Sequence, residues 1–209
     1  MRLCLAAIIS LACCARADAQ SLYLDHGQRA FEIGGGWSAG PSSTGFELTA
    51  GASIDGRTDL GITFARYTYT FDDGSESRFR EYAPYARVFL VKEQHGAPVS
   101  LSINAQMFVD DYEADGDKGR YVQAGTTIYK QLKLAEHLSI QPFAGFAFVA
   151  ESYSFGGGDA ERDHYLTREF GVHYTTNTSR PWMARATVSE QSFRRETYRG
   201  AKLSVIRRL

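Results

Sequence analysis

Val99-Ser100-Leu101-Ser102-Ile103-Asn104-Ala105-Gln106-Met107-Phe108-Val109 is the stretch on which the reading of this chain turns. Val99, Leu101, Ile103, Ala105, Met107 and Val109 share one parity, and Ser100, Ser102, Asn104 and Gln106 share the other. Successive side chains of an extended chain point to opposite faces, so a period of two sorts apolar from polar residues, and a helical period would scramble them. The segment predicts a strand with one greasy face.

The same period recurs along the chain. Phe46, Leu48, Ala50, Ala52 and Ile54 alternate with Gly45, Glu47, Thr49, Gly51 and Ser53. Further apolar faces are Phe31, Ile33 and Trp37; Leu60, Ile62 and Phe64; and Tyr82, Ala86, Val88 and Leu90. Val122, Ala124, Ile128, Leu132 and Leu134 form another, followed by Leu138, Ile140, Ala144, Phe146 and Phe148. Leu166, Phe170, Val172 and Tyr174 precede Trp182, Ala184, Ala186 and Val188, and Leu203, Val205 and Leu209 come last. The pattern predicts about ten strands, and an all-β fold.

Composition agrees. The 209 residues include 20 glycines, 12 tyrosines and 13 phenylalanines, which argues against a helical bundle, and the length suits one domain. The 24 acidic and 23 basic residues nearly cancel, so there is no electrostatic footprint for nucleic acid.

Residues 1–19 read as a signal peptide: Arg2, the apolar run Leu3 to Leu11, and Ala17-Asp18-Ala19 before a cut at Gln20. The barrel domain is then 20–209. Cys4, Cys13 and Cys14 all fall in the removed segment, so the mature chain is expected to have no disulfide. The sequence around Cys13 and Cys14 breaks the lipobox pattern. Removing Arg2, Arg16 and Asp18 leaves 21 basic and 23 acidic residues. No later segment approaches 18 consecutive apolar residues, so no transmembrane helix is expected.

In hydrocarbon every backbone N–H and C=O must be paired, so a β structure crosses a bilayer only by closing on itself. An even number of alternating strands, each with the roughly 9 to 11 residues a tilted crossing needs, meets that demand. Trp37, Phe46, Tyr82, Phe148, Tyr174 and Trp182 stand near the ends of the expected spans, as an interfacial girdle does. Odd-numbered connections, such as 72–76 and 110–117, read as long, polar and outward. Even-numbered ones, such as Asp55-Gly56, Ala135-Glu136-His137 and 177–180, read as shorter and periplasmic.

These features, with the apolar final strand Leu203-Ser204-Val205-Ile206-Arg207-Arg208-Leu209, make the chain resemble the small outer-membrane barrels of the OmpA/OmpX type. The resemblance spans nearly the whole mature chain as a strand pattern. It implies a closed antiparallel up-and-down transmembrane β-barrel in the outer membrane of a Gram-negative-type bacterium. Outer-membrane lipid, lipopolysaccharide and the barrel-assembly machinery are its implied partners, and a monomer its implied state. A typical member has eight strands, which stands as the alternative count, and ends in phenylalanine where this chain ends in Leu209. The rival fold is a soluble lipocalin-like ligand binder, its greasy face turned inward, for which Gly35-Gly36-Trp37 supplies a G-x-W.

Three residues fit the pattern poorly. Pro84 and Pro142 each delete a ladder hydrogen bond and predict bulges, and Arg66 lies on the apolar face, where it must snorkel to a rim.

The inward parity collects Glu32, Glu47, Asp59, Glu81, Arg87, Gln106, Gln123, Lys133, Gln141, Glu151, Glu169, His173, Arg185 and Lys202. In a narrow barrel such residues form a side-chain plug; the sharper reading is a gated ion path through Arg87 and Arg185. A barrel-embedded hydrolase acting on lipid A, phospholipid or peptide needs a histidine with a hydroxyl or acidic partner. His173 and the pairs Asp110-Asp111 and Asp163-His164 are the candidates, although adjacent residues on a strand face opposite ways. Asp111-Tyr112-Glu113-Ala114-Asp115-Gly116-Asp117 resembles half a calcium loop, but Val122 stands where the bidentate glutamate belongs. His26, His95 and His137 read as exposed turn residues. No catalytic, metal or cofactor residue is assigned, and the expected role is structural or surface-interactive: envelope integrity, adhesion or a narrow pore.

Overall fold

The computed structural model describes residues 21–112, 118–154, 161–176, 181–193 and 196–209. A 3₁₀ turn, Ser21–Tyr23, precedes β1 (Ala30–Ala39), β2 (Ser43–Ile54), β3 (Thr58–Thr70), β4 (Glu76–Val91) and β5 (Ser100–Tyr112). β6 (Lys118–Tyr129), β7 (Leu132–Ala135), β8 (Leu138–Ser154), β9 (Glu161–Thr176), β10 (Trp182–Phe193) and β11 (Glu196–Arg208) complete the chain. Each strand pairs antiparallel with its neighbours, β1 pairs with β11, and β6 pairs with β8, so the sheet closes. Ten strands form the wall.

The short β7 is the continuation of β6. Tyr129↔Phe143 and Leu132↔Ile140 hold one register along β8, with Lys130 and Gln131 between them. There the Lys130 amide donates to the Pro142 carbonyl at 3.1 Å, and proline has no N–H to return the bond. The ladder thins at Pro142 without shifting. Pro84 behaves likewise, since Tyr82↔Val109 and Tyr85↔Gln106 keep one register across it. The bulges expected at the prolines are absent; the register shifts lie at Phe89/Val91 and Lys133/Ala135.

Parity sorts the wall as expected. Ile33 is 72% exposed, Phe46 71% and Leu166 74%, whereas Glu32, Asp59, Gln141 and Arg185 are at most 1% exposed. All six girdle aromatics are exposed. The apolar faces therefore point outward, which overturns the lipocalin-like alternative. A closed barrel with this exterior is built to sit in a bilayer. Of the inward set only Lys133 departs, because β7 lies past the closed wall and is exposed along its length.

Loop lengths do not follow the expected alternation among the described residues. The outer connections 40–42 and 71–75 are short, and the inner connection 92–99 is longer than either. Length lies in the strands instead, with β4, β8 and β9 running 16, 17 and 16 residues. The Asp55-Gly56 turn is as expected: both residues have positive φ, 62° and 59°, as a tight hairpin of primed type requires.

Candidate functional site in the lumen

The inner end, where the described chain begins at Ser21 and ends at Leu209, is closed by main chain. Ser21, Leu22, Tyr23 and Leu24 are all buried and cross the mouth as a strap. The Ser21 amide and hydroxyl donate to Asp59 Oδ1 at 2.9 and 2.6 Å, tying the strap to β3. Across the mouth, the Tyr23 hydroxyl donates to Gln141 Oε1 at 2.5 Å and accepts from the Thr175 hydroxyl at 2.9 Å. The Leu24 carbonyl accepts from Lys92 Nζ and from Gln94 Nε2, and Lys92 also donates to the Gly56 carbonyl at 3.0 Å. A Cβ on Gly56 would lie 1.9 Å from the Asp25 carbonyl oxygen, so the turn needs glycine for the strap as well as for φ. Burial pushes the Tyr23 hydroxyl up to about 12, against the pull of Arg185 and Thr175. Burial also draws the Lys92 ammonium down to about 8, opposed by Asp25 and Asp59.

Above the strap the lumen is filled. Leu22, Tyr23 and Leu24 pack in one cluster with Phe89, Tyr129, Phe143, Met183 and Ile206. A second cluster toward the outer end includes Tyr67, Phe79, Phe108, Tyr112 and Tyr121, with Phe108 stacked on Tyr121 at 4.0 Å and 9°. Along β4 the inward side chains run Phe79, Glu81, Ala83, Tyr85, Arg87 and Phe89, so charges alternate with rings. Arg185 pairs with Glu32, Lys202 lies 3.2 Å from Glu47 and donates to Thr49 at 2.6 Å, and Tyr121 donates to Glu81 at 2.8 Å. Arg87 and Arg185, the candidates for an ion path, are both buried, Arg87 over the Tyr129 ring and Arg185 over Tyr23.

Glycines make room for these rings. Tyr67, Tyr85 and Phe143 stand directly across from Gly45, Gly61 and Gly171 on neighbouring strands. A Cβ there would meet the facing ring at 2.0, 2.5 and 2.6 Å. The aromatic fill was the main feature missed from sequence. Its signal was present, since Phe79, Phe89, Phe108 and Phe143 all stand on the inward parity beside the polar residues.

The hydrolase candidates are kept apart. His173 Nδ1 lies 2.9 Å from the Thr187 hydroxyl, a partner the sequence did not reveal, but the ring is buried and stacked on Phe143 at 4.6 Å. Asp110 is inward and fully buried, directly across from Glu81, while Asp111 lies on the other face. His164 is outward and its amide, not its ring, contacts Asp163, at 2.8 Å. Asp163 stands directly across from buried Glu151, so Asp110 and Asp163 share the inward face and His164 does not join them. Most of the acidic loop, 113–117, lies outside the described residues. Among the described residues no three metal-ligating side chains gather. His26, His95 and His137 are exposed in turns, as expected.

No protein-family model matches the sequence, and no curated protein matches it. Solved structures do. The translocator domain of the autotransporter NalP from Neisseria meningitidis aligns over 100% of this chain and 98% of its own, at 9% identity and a TM-score of 0.61. The beta domain of the Bordetella autotransporter BrkA aligns over 88% of this chain and 100% of its own, at 10% identity and 0.51. Ail, the attachment invasion locus protein of Yersinia pestis, aligns over 88% and 99%, at 13% identity and 0.37. The chain has the fold of bacterial outer-membrane β-barrels.

Proposed function

We propose that this protein is a sealed outer-membrane barrel that acts through its surfaces, in envelope integrity or surface contact, and neither conducts nor hydrolyses. The observation that carries the reading is the strap of residues 21–24, buried in the inner mouth and bonded to Asp59, Gln141, Lys92 and Gln94 beneath an interior already filled by rings and paired charges. A continuous water path would have to break contacts on at least three sides of the barrel. Against the hydrolase alternative, His173 is enclosed by aromatic rings, and His164 and Asp163 face opposite sides of the wall.

Planar-bilayer recording of the purified barrel tests the reading. The intact protein is expected to be silent. Discrete conductance steps, or turnover of lipid A, phospholipid or peptide that disappears with His173→Ala or His164→Ala, would overturn it.

A further inference from the structure

Four carboxylates share the inward face toward the outer end. Asp110 on β5 stands directly across from Glu81 on β4, and Glu151 on β8 directly across from Asp163 on β9. Between the two couples runs β6, where Gly119 faces Asp110 and offers no side chain, while Tyr121 faces Glu151 and donates to Glu81 at 2.8 Å. Asp110 is 0% exposed and is flanked along its own strand by Phe108 and Tyr112, both in the outer ring cluster. Neither of its oxygens has a hydrogen-bond partner. A carboxylate placed so has lost its water and gained like charge across the ladder, and both disfavour the ionised form.

Positive charge does not offset it. The lumenal cations of the wall lie deeper: Arg87 is six residues along β4 from Glu81, about 20 Å at the rise of a strand. Arg185 pairs with Glu32, and Lys202 lies beside Glu47 and Thr49. Tyr67 and Tyr69 on β3, Tyr112 on β5, Tyr121 on β6 and Tyr165 on β9 are the other titratable groups of the outer cluster, and none brings a positive charge. Among the described residues no three carboxylates gather to hold a metal ion. The compensation left to Asp110 is a proton.

Asp110 also stands one residue beyond Val109, the partner of the girdle residue Tyr82, and so lies outside the hydrocarbon span. Burial first, and then Glu151, push its carboxyl well above the usual carboxylate range, against the pull of the Tyr112 hydroxyl.

We infer that Asp110 is a proton-binding site, a neutral carboxylic acid in the folded barrel at neutral pH, whose ionisation sets two negative charges face to face with Glu81 and loosens the outer filling. Acid therefore fastens the outer end. On unfolding, the carboxyl returns to its ordinary value of 3.8, so the folded barrel binds the extra proton and its stability falls as pH rises above that value. The inference goes beyond the sealed-lumen reading and does not rest on it.

Infrared spectroscopy of the full mature barrel in detergent, with and without carboxyl-labelled aspartate, tests the assignment. At about pH 8 wild type is expected to show a protonated-carboxyl band that shifts with the label, survives Asp59→Asn and is lost in Asp110→Asn. In a heat series Asp110→Asn should match wild type at about pH 4 and unfold roughly 5 °C or more above it at about pH 8. Absence of a label-sensitive band from wild type would overturn the site without recourse to a variant. A band that persists in Asp110→Asn, or vanishes in Asp59→Asn, would place the proton elsewhere and do the same. Heat profiles that run together at every pH would overturn the link between the proton and the outer filling. None of these readouts is a conductance, so failure of the sealed-lumen reading registers separately.

Discussion

At the inner end the lumen is closed by a strap of main chain, and toward the outer end it is packed with rings. The strap is held by directional bonds from several strands, to Asp59 on β3, Gln141 on β8, Thr175 on β9, and Lys92 and Gln94 beyond β4. The outer cluster, Tyr67, Phe79, Phe108, Tyr112 and Tyr121, belongs to the wall itself and is held by stacking. A strap can leave without unfolding the barrel, whereas a wall ring cannot. The inner closure is therefore separable from the fold, and the outer filling is part of its stability.

The largest expected effect follows from that contrast. Leu24→Asp places a carboxylate in a fully buried apolar site, at a cost of several kcal/mol that strap release relieves, so conductance steps should appear from a barrel that still runs as a folded band on unheated gels. If Leu24→Asp stays silent while folded, the strap is not the seal. Phe108→Ala should do the reverse, lowering stability by about 3–5 kcal/mol in a thermal or denaturant series while the bilayer stays quiet.

Arg185→Ala is expected to cost about 3–5 kcal/mol, because it strands the Glu32 carboxylate inside the barrel. Adding Glu32→Ala should recover much of that loss. A double variant as unstable as the single one would mean that packing, not charge, sets the penalty. Tyr23→Phe removes one hydroxyl between Thr175 and Gln141 and should weaken strap docking by about 1 kcal/mol, measured by protease access to residues 21–28.

The smallest effect is a pH profile. The docked Lys92 ammonium has a value of about 8 against its ordinary 10.5, so between those values the released strap state binds more protons and docking strengthens as pH rises. Tyr23 works the other way. Its hydroxyl rises from 10 to about 12, so its contribution is complete below pH 10 and is lost as pH climbs toward 12. Protection of the strap should therefore peak near pH 10. Lys92→Met should flatten the lower limb and Tyr23→Phe the upper; a profile insensitive to both would contradict the assignment.

The wall was legible because a bilayer and a packed lumen impose opposite demands on neighbouring residues, and alternation records that directly. Nearly every member of the inward set, from Glu32 to Lys202, faces the interior. The filling was less legible, because apolar rings on the inward parity, such as Phe108 among Ser102, Asn104 and Gln106, interrupt the alternation they belong to. Asp110 was read as a loop residue because β5 extends further than a membrane crossing requires. The strap carries no periodicity at all. Its four residues gain their meaning from Asp59, Lys92 and Gln141, which are remote in sequence. Residue type alone nominates the enzyme candidates, whereas the stacking of Tyr129 and Phe143 on His173 joins residues remote in sequence.

The glycines opposite Tyr67, Tyr85 and Phe143 bear on how such a cylinder is assembled correctly. Inside-outside polarity rejects a hairpin that slips by one position, because every side chain then changes sides. It is blind to a slip of two. Moved by two, Tyr67 would confront Glu47 or Ser43 in place of Gly45, and the space its ring requires would be occupied. Each bulky-empty couple thus works as a key for its hairpin, proofreading alignment where greasiness alone has nothing to say.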